Sequence, residues 1–301
     1  MNDDRPAAEP KQGCARPLLE EHPRRFAENR YAYPVLSRRA GGISIGVNLN
    51  PDKTCTFRCV YCQVDRDEPA PRGSDTPGPI DLGRLAEELD TMVTAVRSGR
   101  LFEGPRFRQA PAHLRRLTDI ALSGDGEPTL CPQFAEAVEV CARVRRQHGL
   151  DDVKLVLITN ASLLDRERVR RGLAVLDGAH GEIWAKLDAG TEAYYRRVSR
   201  SAVPFAKILD NLREAARARP IVIQTLLMRL EGQPPPAEER AEYCRRLGEL
   251  AAAGGRIKLV QLYTVARRPA EPSVSALSQA ELAAAAEQVR QETGLPVMCA
   301  A

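Results

Sequence analysis

The chain has 301 residues, 43% of them hydrophobic, which is enough for one large α/β domain or two small ones with a packed core. No apolar run approaches the ~20 residues of a membrane span, so we expect no membrane segment and an intracellular, cytoplasmic protein. The net charge of +4, from 44 basic and 40 acidic residues, is too small to identify a partner by itself.

Arginine makes up most of the basic residues, with only six lysines in the chain, and many arginines are adjacent. The pairs are Arg115–Arg116, Arg145–Arg146, Arg170–Arg171, Arg196–Arg197, Arg245–Arg246 and Arg267–Arg268. A nucleic-acid surface is one interpretation. Solvated helix faces are the other, and the interleaved acidic residues favour it.

We predict an irregular leader at residues 1–30, which are polar and contain proline, and a single domain at residues 31–301. In that domain β-type segments alternate with amphipathic ones. The predicted strands are Ile43–Leu49, Thr118–Ser123, Val153–Thr159, Glu182–Asp188, Pro220–Leu227 and Ile257–Tyr263. The predicted helices are Leu82–Arg97, Pro132–His148, Ser162–Leu176, Pro204–Arg217, Ala237–Ala253 and a C-terminal one at Ser278–Thr293.

This alternation predicts a parallel sheet with right-handed crossovers. Such a sheet is either open and doubly wound or curled into a partial or full barrel. In both cases ligands collect at the carboxyl ends of the strands, so the unusual residues should follow the strands.

Three cysteines, Cys55, Cys59 and Cys62, follow the first predicted strand at spacings of four and three residues. Three thiolates on one short loop can bind one inorganic cluster, and three ligands leave one iron of a 4Fe–4S cube open. Structural zinc usually takes four protein ligands in paired knuckles, and disulfide frameworks suit small secreted domains. The other cysteines are isolated: Cys14, Cys131, Cys141, Cys244 and Cys299. A cluster is therefore the prediction, with zinc and unliganded thiols as alternatives.

Two further strand ends carry candidate ligand contacts. The second predicted strand runs into Ser123-Gly124-Asp125-Gly126-Glu127-Pro128, where two glycines let the backbone approach a ligand closely. Its carbonyls and the Glu127 carboxylate are able to accept hydrogen bonds from an ammonium group, unless the segment is an ordinary turn before a helix. The third strand ends at Asn160, which either caps a helix or holds a polar group of a ligand.

The fourth predicted strand places Trp184, Lys186 and Asp188 on one face by period-two alternation. A lysine and an aspartate on one face of a central strand are costly to bury unpaired. Either they neutralise each other or they contact a polar ligand. Gln224 and Gln261 on the next two strands are weaker candidates of the same kind.

The motif Cys55-x-x-x-Cys59-x-Tyr61-Cys62, followed by Gly126-Glu127-Pro128 after the second strand, resembles the radical S-adenosylmethionine (SAM) superfamily. The resemblance extends from about Gly41 to Tyr263. It implies a partial TIM-type (β/α)6 barrel with a parallel sheet. It also implies that the three cysteines hold a 4Fe–4S cluster whose open iron is chelated by SAM.

The same resemblance implies roles for other residues. Tyr61 is expected near the adenine, and the segment from Gly126 to Pro128 is expected to receive the methionine ammonium. Asn160, Lys186 and Asp188 are expected near the ribose or the substrate. One electron from a reduced flavodoxin or ferredoxin would start cleavage of SAM to methionine and a 5′-deoxyadenosyl radical, which abstracts a hydrogen from the substrate.

Within the superfamily, the chain is most similar to bacterial relatives of the wyosine-base tRNA synthetases, which remodel a guanosine in transfer RNA. Those enzymes carry additional upstream cysteines for a second cluster, whereas only Cys14 lies upstream here. The substrate stays open between a nucleic-acid base, a peptide and a small metabolite. A non-catalytic iron–sulfur protein that binds RNA or acts as a scaffold is the alternative function.

Overall fold

The computed structural model describes residues 24, 26–37, 40–64, 79–267, 269 and 271–300. The strands are β1 Ala32–Ser37, β2 Gly42–Val47, β3 Leu117–Leu122, β4 Lys154–Thr159, β5 Gly181–Lys186, β6 Ile221–Leu226, β7 Met228–Leu230, β8 Ile257–Tyr263, β9 Val274–Ala276 and β10 Val297–Ala300. The helices are α1 Leu82–Arg97, α2 Phe134–Gln147, α3 Glu167–Gly178, α4 Glu192–Ser199, α5 Phe205–Ala218, α6 Ala237–Ala252 and α7 Gln279–Thr293.

Eight of these strands form one sheet in the order β1-β2-β3-β4-β5-β6-β8-β10. Every neighbouring pair from β2 to β10 is parallel, and β1 pairs antiparallel with β2. Tyr33 of the first strand and Ala300 of the last line the same cavity, so the sheet curls round on itself. The predicted partial barrel with a parallel sheet is confirmed.

The six predicted strands correspond to β2–β6 and β8, with boundary differences of one or two residues. Helix α1 has the predicted bounds, and its apolar stripe is buried. The stripe consists of Leu85, Leu89, Met92, Val93 and Val96. Burying each such side chain stabilises the fold by about 1.5–3 kcal/mol relative to exposing it, which is why the periodicity was a reliable signal.

The largest boundary error is at the start of α3, which begins at Glu167 and not at Ser162. Ala161 has a positive φ of 64°, which is incompatible with a helix. The Ser162 backbone N–H donates to the Asn160 side-chain oxygen at 3.0 Å, so a turn takes the place of the first helical residues.

Five strands and helices were not predicted: β1, β10, the short helix α4 and the two strands of the separate pair β7–β9. The edge strand β1 contains Pro34, whose missing N–H is tolerated at a sheet edge but obscures a strand pattern. The separation of residues 1–30 from one domain at 31–301 stays a prediction, because residues 1–23 and 25 lie outside the described part of the chain.

The interior of the barrel has its own apolar layer, separate from the core between sheet and helices. Ala121, Val156, Trp184 and Val222 form this layer, one from each of β3 to β6. Below it, the Glu182 carboxylate lies 2.9 Å from the Lys154 ammonium and 2.6 Å from the Lys258 ammonium. Burial alone would raise the pKa of Glu182, but hydrogen bonds from Lys258, Trp184 and Lys154 lower it to about 2.

Within the described residues, no helix is both long enough and apolar enough to cross a membrane.

Candidate active site

The carboxyl ends of the strands surround a cavity of about 320 Å³. Its lining includes many of the residues singled out from the sequence: Cys55, Cys59, Tyr61, Cys62, Gly124, Gly126, Glu127, Asn160, Trp184 and Lys186. The structure thus brings these strand-end residues together in one cavity, and their roles stay predictions. Pro128 and Asp188 do not line the cavity but adjoin residues that do.

The cysteine loop is held against the C-terminal end of α4. The backbone N–H groups of Arg58 and Val60 donate to the carbonyls of Ser199 and Val198, at 3.0 and 2.9 Å. The Phe57 ring packs edge-on against Tyr195 at 5.7 Å between centroids. Helix α4, which was not predicted from the sequence, thus holds the cysteine loop, which was.

Cys55, Cys59 and Cys62 form no disulfide within the described residues, and their side chains are partly exposed and line the cavity. Burial raises the pKa of Cys59 to about 12, with Asp188 adding to the effect. Among the described residues, no three His, Cys, Asp or Glu side chains converge on a single metal-ion position. Cubane ligands bind separate irons, so a spread set of three thiols on one loop suits a cluster.

The glycines after β3 allow two backbone segments to touch. A Cβ on Gly126 would lie 2.0 Å from the Thr54 carbonyl oxygen, and one on Gly124 would lie 2.3 Å from the Asn48 side-chain oxygen. The Glu127 N–H donates to the same Thr54 carbonyl at 3.1 Å. The turn therefore packs directly on the residues that lead into Cys55, and neither glycine can carry a side chain without moving that loop.

The Glu127 carboxylate is buried and faces the strand ends. It accepts hydrogen bonds from the hydroxyls of Thr129 and Thr159, both at 2.6 Å, and from the Asn160 backbone N–H at 2.7 Å. Burial raises its pKa, although these bonds oppose the shift. Glu127 thus connects the ends of β3 and β4. Because its carboxylate already accepts these hydrogen bonds, the backbone carbonyls of the turn are the acceptors most accessible to a ligand.

Asn160 connects the end of β4 to the cysteine loop. Its side-chain amide donates to the Thr56 hydroxyl at 2.8 Å and lies 3.7 Å from the Cys55 sulfur. The Thr56 and Ser162 hydroxyls are 2.9 Å apart. Asn160 lines the cavity as expected and also positions the loop, a role that the sequence did not indicate.

Lys186 and Asp188 pair with each other, at 3.2 Å between ammonium and carboxylate. The Lys186 ammonium also donates to the Tyr263 hydroxyl at 2.6 Å and lies between two rings, 4.9 Å from the centroid of Tyr61 and 5.0 Å from that of Tyr263. Burial alone would lower the pKa of Lys186, but Asp188 and Tyr263 raise it above its ordinary value. The structure shows the pairing, and because Lys186 also lines the cavity, its contact with a polar ligand stays a prediction.

Tyr61 takes part in this cluster, because its hydroxyl donates to the second oxygen of Asp188. Burial raises the Tyr61 pKa well above its ordinary value, and Asp188 adds to the shift. The residue expected near an adenine is thus also the link between the cysteine loop and β5.

Gln224 and Gln261, the weaker candidates, bond to each other at 2.8 Å and do not line the cavity. Cys131, Cys141 and Cys244 are buried apart from the loop, and Cys14 lies outside the described residues. Two further segments were candidates from the sequence for shaping the entrance of the cavity, namely Gln63–Pro79, rich in Asp, Gly and Pro, and Glu231–Glu239. No residue of Glu231–Glu239 lines the cavity. Positions 65–78 of Gln63–Pro79 lie outside the described residues.

Several cavity residues were missed: Arg24, Tyr33, Ser44, Asp119 and Tyr263. Their signal was available in part. Period-two alternation applied to β2 and β3, as it was applied to β5, turns Ser44 and Asp119 towards the interior together.

Most of the arginine pairs have partners within the chain. Arg145 is buried and donates to the Val153 carbonyl at 2.6 Å. Arg196 pairs with Glu192 and Arg245 with Glu249, each on its own helix. Arg170 and Arg171 are exposed on α3. Solvated faces and internal contacts thus account for most of the pattern.

The fold is a half-barrel, and its cavity has three cysteines at the mouth. A family model described as the Radical SAM superfamily matches residues 49–233, more than half of the chain. The chain belongs to the radical SAM superfamily. Members of this superfamily use a 4Fe–4S cluster and SAM, so these are the cofactors of the fold.

Two curated relatives show how far the similarity extends. A protein named GTPase Obg from Brachyspira hyodysenteriae is 24% identical over 253 residues, which is 83% of this chain and 32% of the relative. A UPF0026 protein of Methanocaldococcus jannaschii is 30% identical over 168 residues, which is 56% of this chain and 43% of the relative. The chain thus spans between a third and a half of the length of these relatives.

Among solved structures, a structure of TYW1 with a lysine-pyruvate adduct bound has a TM-score of 0.50 at 18% identity, covering 82% of this chain and 73% of that one. At this identity the likeness concerns the fold alone.

Proposed function

We propose that this chain is a radical SAM enzyme in which Cys55, Cys59 and Cys62 hold the 4Fe–4S cluster. The observation that supports this most is that the three cysteines, the Gly126 turn and Asn160 line one cavity. The remaining thiols of the described residues lie elsewhere, so the loop alone offers a set of ligands.

The residues fit the cofactors on structural grounds. Thiolates are the ligands of iron–sulfur clusters, and three of them leave a coordination position for another molecule. Gly124 and Gly126 have no room for a side chain, so the turn presents bare backbone to the cavity. Bare carbonyls suit an ammonium group. We therefore assign the turn from Gly124 to Pro128, together with Glu127 behind it, to the methionine end of SAM.

When bound, the cluster and SAM supply a radical that takes a hydrogen atom from the substrate. The chain's own residues position the cysteine loop and shield the cavity from water. Tyr61 holds the cysteine loop against β5 through Asp188, and Asn160 holds it against β4 through Thr56. Lys186 keeps its proton in the paired cluster and orients Tyr61 and Tyr263 at the cavity wall. Burial of these groups keeps water from the reacting atoms.

We infer the electron donor and the substrate from the proposed reaction and from similarity, and not from a contact in the structure. Reductive cleavage needs one electron, for which a flavodoxin or ferredoxin is the donor we propose. For the substrate, a transfer RNA base is the candidate that the similarity to wyosine-type enzymes suggests.

The second candidate is an iron–sulfur protein that binds RNA without turnover. It rests on the exposed arginines of α3, Arg170 and Arg171. Gel shifts with transfer RNA at several salt concentrations test it, because phosphate contacts make affinity fall steeply with salt. Absence of binding at low salt would exclude this function.

The test of the enzyme proposal is anaerobic reconstitution followed by iron analysis and incubation with SAM and dithionite. We expect about four irons per chain and release of 5′-deoxyadenosine. Stoichiometric zinc without SAM cleavage would contradict the proposal.

A further inference from the structure

The cysteine loop has a cavity side and an outer side. Phe57, Cys59 and Cys62 line the cavity. Arg58 does not line it, and it is the only exposed residue among residues 50–64, all of which the structure describes. Consecutive Cα atoms are about 3.8 Å apart, so the exposed point of the loop is one residue from the proposed cluster ligand Cys59. A molecule that touches Arg58 from outside is thus separated from the thiolates by the loop alone.

The outer side of the loop lies against the end of α4, where further arginines are found. The Arg58 backbone N–H donates to the Ser199 carbonyl at 3.0 Å, and Arg200 is the next residue after that carbonyl. Arg196 and Arg197, in the last turn of α4, are exposed like Arg58 and Arg200. We call these four residues, Arg58, Arg196, Arg197 and Arg200, the arginine face.

Arg200 has a backbone conformation that favours glycine. It ends α4 with a φ of 44° and a ψ of 47°, in the left-handed region. Glycine or asparagine usually occupies this position at the end of a helix, because the left-handed conformation costs other residues roughly 1–2 kcal/mol. The chain thus carries a long cationic side chain where glycine would fit at lower cost. Backbone strain of this kind is a reason to assign the side chain a function.

Three carboxylates border the arginine face. They are Glu192, which lies 2.6 Å from Arg196, Glu231, which lies 3.1 Å from Arg197, and Glu271, which lies 2.6 Å from Arg200. Such exposed ion pairs contribute only about 0–1 kcal/mol, so carboxylates of a partner protein can replace them at little cost. Arg58 forms no ion pair within the described residues. The excess positive charge of the face therefore lies directly beside the proposed cluster ligands.

A compact positive surface beside a redox centre suits an acidic protein that delivers one electron. In the proposed function SAM and the substrate occupy the cavity side, so the donor has to approach the loop from outside. Complementary charge speeds such encounters. Electron-transfer partners bury small interfaces, below about 1,200 Å², which lets the donor leave after each reaction. A groove for single-stranded RNA follows the backbone over several nucleotides, whereas these arginines belong to one loop and one short helix.

We propose that the arginine face docks an acidic one-electron donor protein, with Arg58 and Arg200 as its main contacts. The inference rests on the proposed function, because a donor is needed here only if the cysteine loop holds a redox centre. The donor is oxidised by one electron, and that electron reduces SAM through the cluster, which gives methionine and the 5′-deoxyadenosyl radical. The docking residues take no part in the chemistry and contact neither cofactor.

Anaerobic calorimetric titration of the reconstituted protein with an acidic flavodoxin, in its oxidised form, tests docking without turnover. Arg58→Glu should weaken binding at least about fivefold at about 50 mM salt and less than about twofold at about 500 mM, because salt screens exposed charges. Arg108→Glu makes the same charge change at an exposed position that contacts Arg115, just before β3 and so towards the amino ends of the strands. This control should bind flavodoxin like the wild type.

Two variants separate docking from a structural role of the Arg200–Glu271 pair, since both remove the pair. Arg200→Gly relieves the left-handed strain and should unfold at a temperature no lower than the wild type, while flavodoxin binds at least about threefold more weakly. Glu271→Gln removes a negative charge and should bind flavodoxin at least as tightly as the wild type. Weaker binding by both variants would show that the pair only shapes the surface, and would overturn the proposal. These two variants also keep it testable if Arg58→Glu does not fold.

The choice of reductant distinguishes docking from catalysis. Arg58→Glu should keep the release of 5′-deoxyadenosine with dithionite, a small reductant that needs no docking surface, and lose most of it with reduced flavodoxin. Equal loss with both reductants would overturn the docking role. Unchanged flavodoxin binding in Arg58→Glu would overturn it too, and loss of transfer RNA binding in that variant would then assign the face to RNA. A wild type that binds flavodoxin through Arg58 but cleaves no SAM with either reductant would contradict the proposed function alone.

Discussion

The two halves of the barrel interior share the same strand geometry but are filled differently. Between β4 and β8, Val156, Trp184 and Val222 fill the inside, and the Glu182 ion pairs close it below. Between β1 and β3 the inward residues are small, among them Ser44 and Gly46, and these residues line the cavity. The side chains, and not the sheet, therefore distinguish a packed half from an open half that borders the cavity.

Loss of the cluster is the largest effect we expect, and it tests the cysteine loop independently of the two halves of the barrel interior. Cys59→Ala removes one of the three proposed ligands and should abolish iron incorporation and 5′-deoxyadenosine release without changing the thermal unfolding of the apoprotein. Iron analysis and product chromatography measure this. Cys299→Ala, at an exposed cysteine, is the control and should retain both. An iron content of Cys59→Ala equal to that of the wild type would contradict the assignment of the cysteine loop as the cluster site.

Changing the side-chain volume in each half tests directly whether the two halves differ in packing. Trp184→Ala empties the packed half and should lower the free energy of unfolding by about 3–5 kcal/mol. Ala121→Val adds volume where the apolar layer borders the open half, and it should cost less, about 1 kcal/mol, because Ala121 also lines the cavity, which accommodates part of the added side chain. Urea unfolding followed by circular dichroism measures both. Equal costs would show that the halves do not differ in packing.

The Lys186–Asp188 pair stands at the upper edge of the packed half. Lys186→Met leaves a carboxylate that is 2% exposed without its cation and should cost about 3 kcal/mol. The double variant Lys186→Met/Asp188→Asn should recover more than half of that loss, and unfolding of the three proteins forms the cycle. If the double variant is as unstable as the single one, the pair is not the reason for the burial of Lys186.

The smallest effect concerns the floor of the packed half and depends on pH. The pKa of Glu182 is lowered to about 2 from 4.5, so its contribution is fully present above pH 4.5 and is lost as pH falls through about 2. Glu182→Gln should therefore be less stable than the wild type, by on the order of 2 kcal/mol at pH 6, with the difference shrinking between pH 4.5 and 2. A difference independent of pH would show that packing, and not charge, is lost.

The sequence was sufficient for the packed half and for the cysteine loop. Buried parallel strands are continuous apolar runs, and the helices over them show the 3.6-residue period, so β2–β6, β8 and α1 were predictable from local pattern. The loop was predictable because the ligand spacing of a cluster is itself local.

The open half was not predictable in the same way. Its wall includes β1 and β10, which are short edge strands with weak sequence patterns. It also includes Asp119, a single charged residue within the otherwise mostly apolar strand β3. Period-two alternation turns Ser44 and Asp119 inward, but their hydrogen bond joins residues distant in sequence, and no local period predicts which inward residues will be neighbours. The bonds of Glu127 and Tyr61 are of the same long-range kind.

The most direct test of the central claim is low-temperature EPR of the reconstituted, reduced protein before and after addition of SAM. The account predicts the signal of a reduced 4Fe–4S cluster that changes on addition of SAM, followed by 5′-deoxyadenosine as the signal decays. A cluster signal that is identical with and without SAM would contradict it.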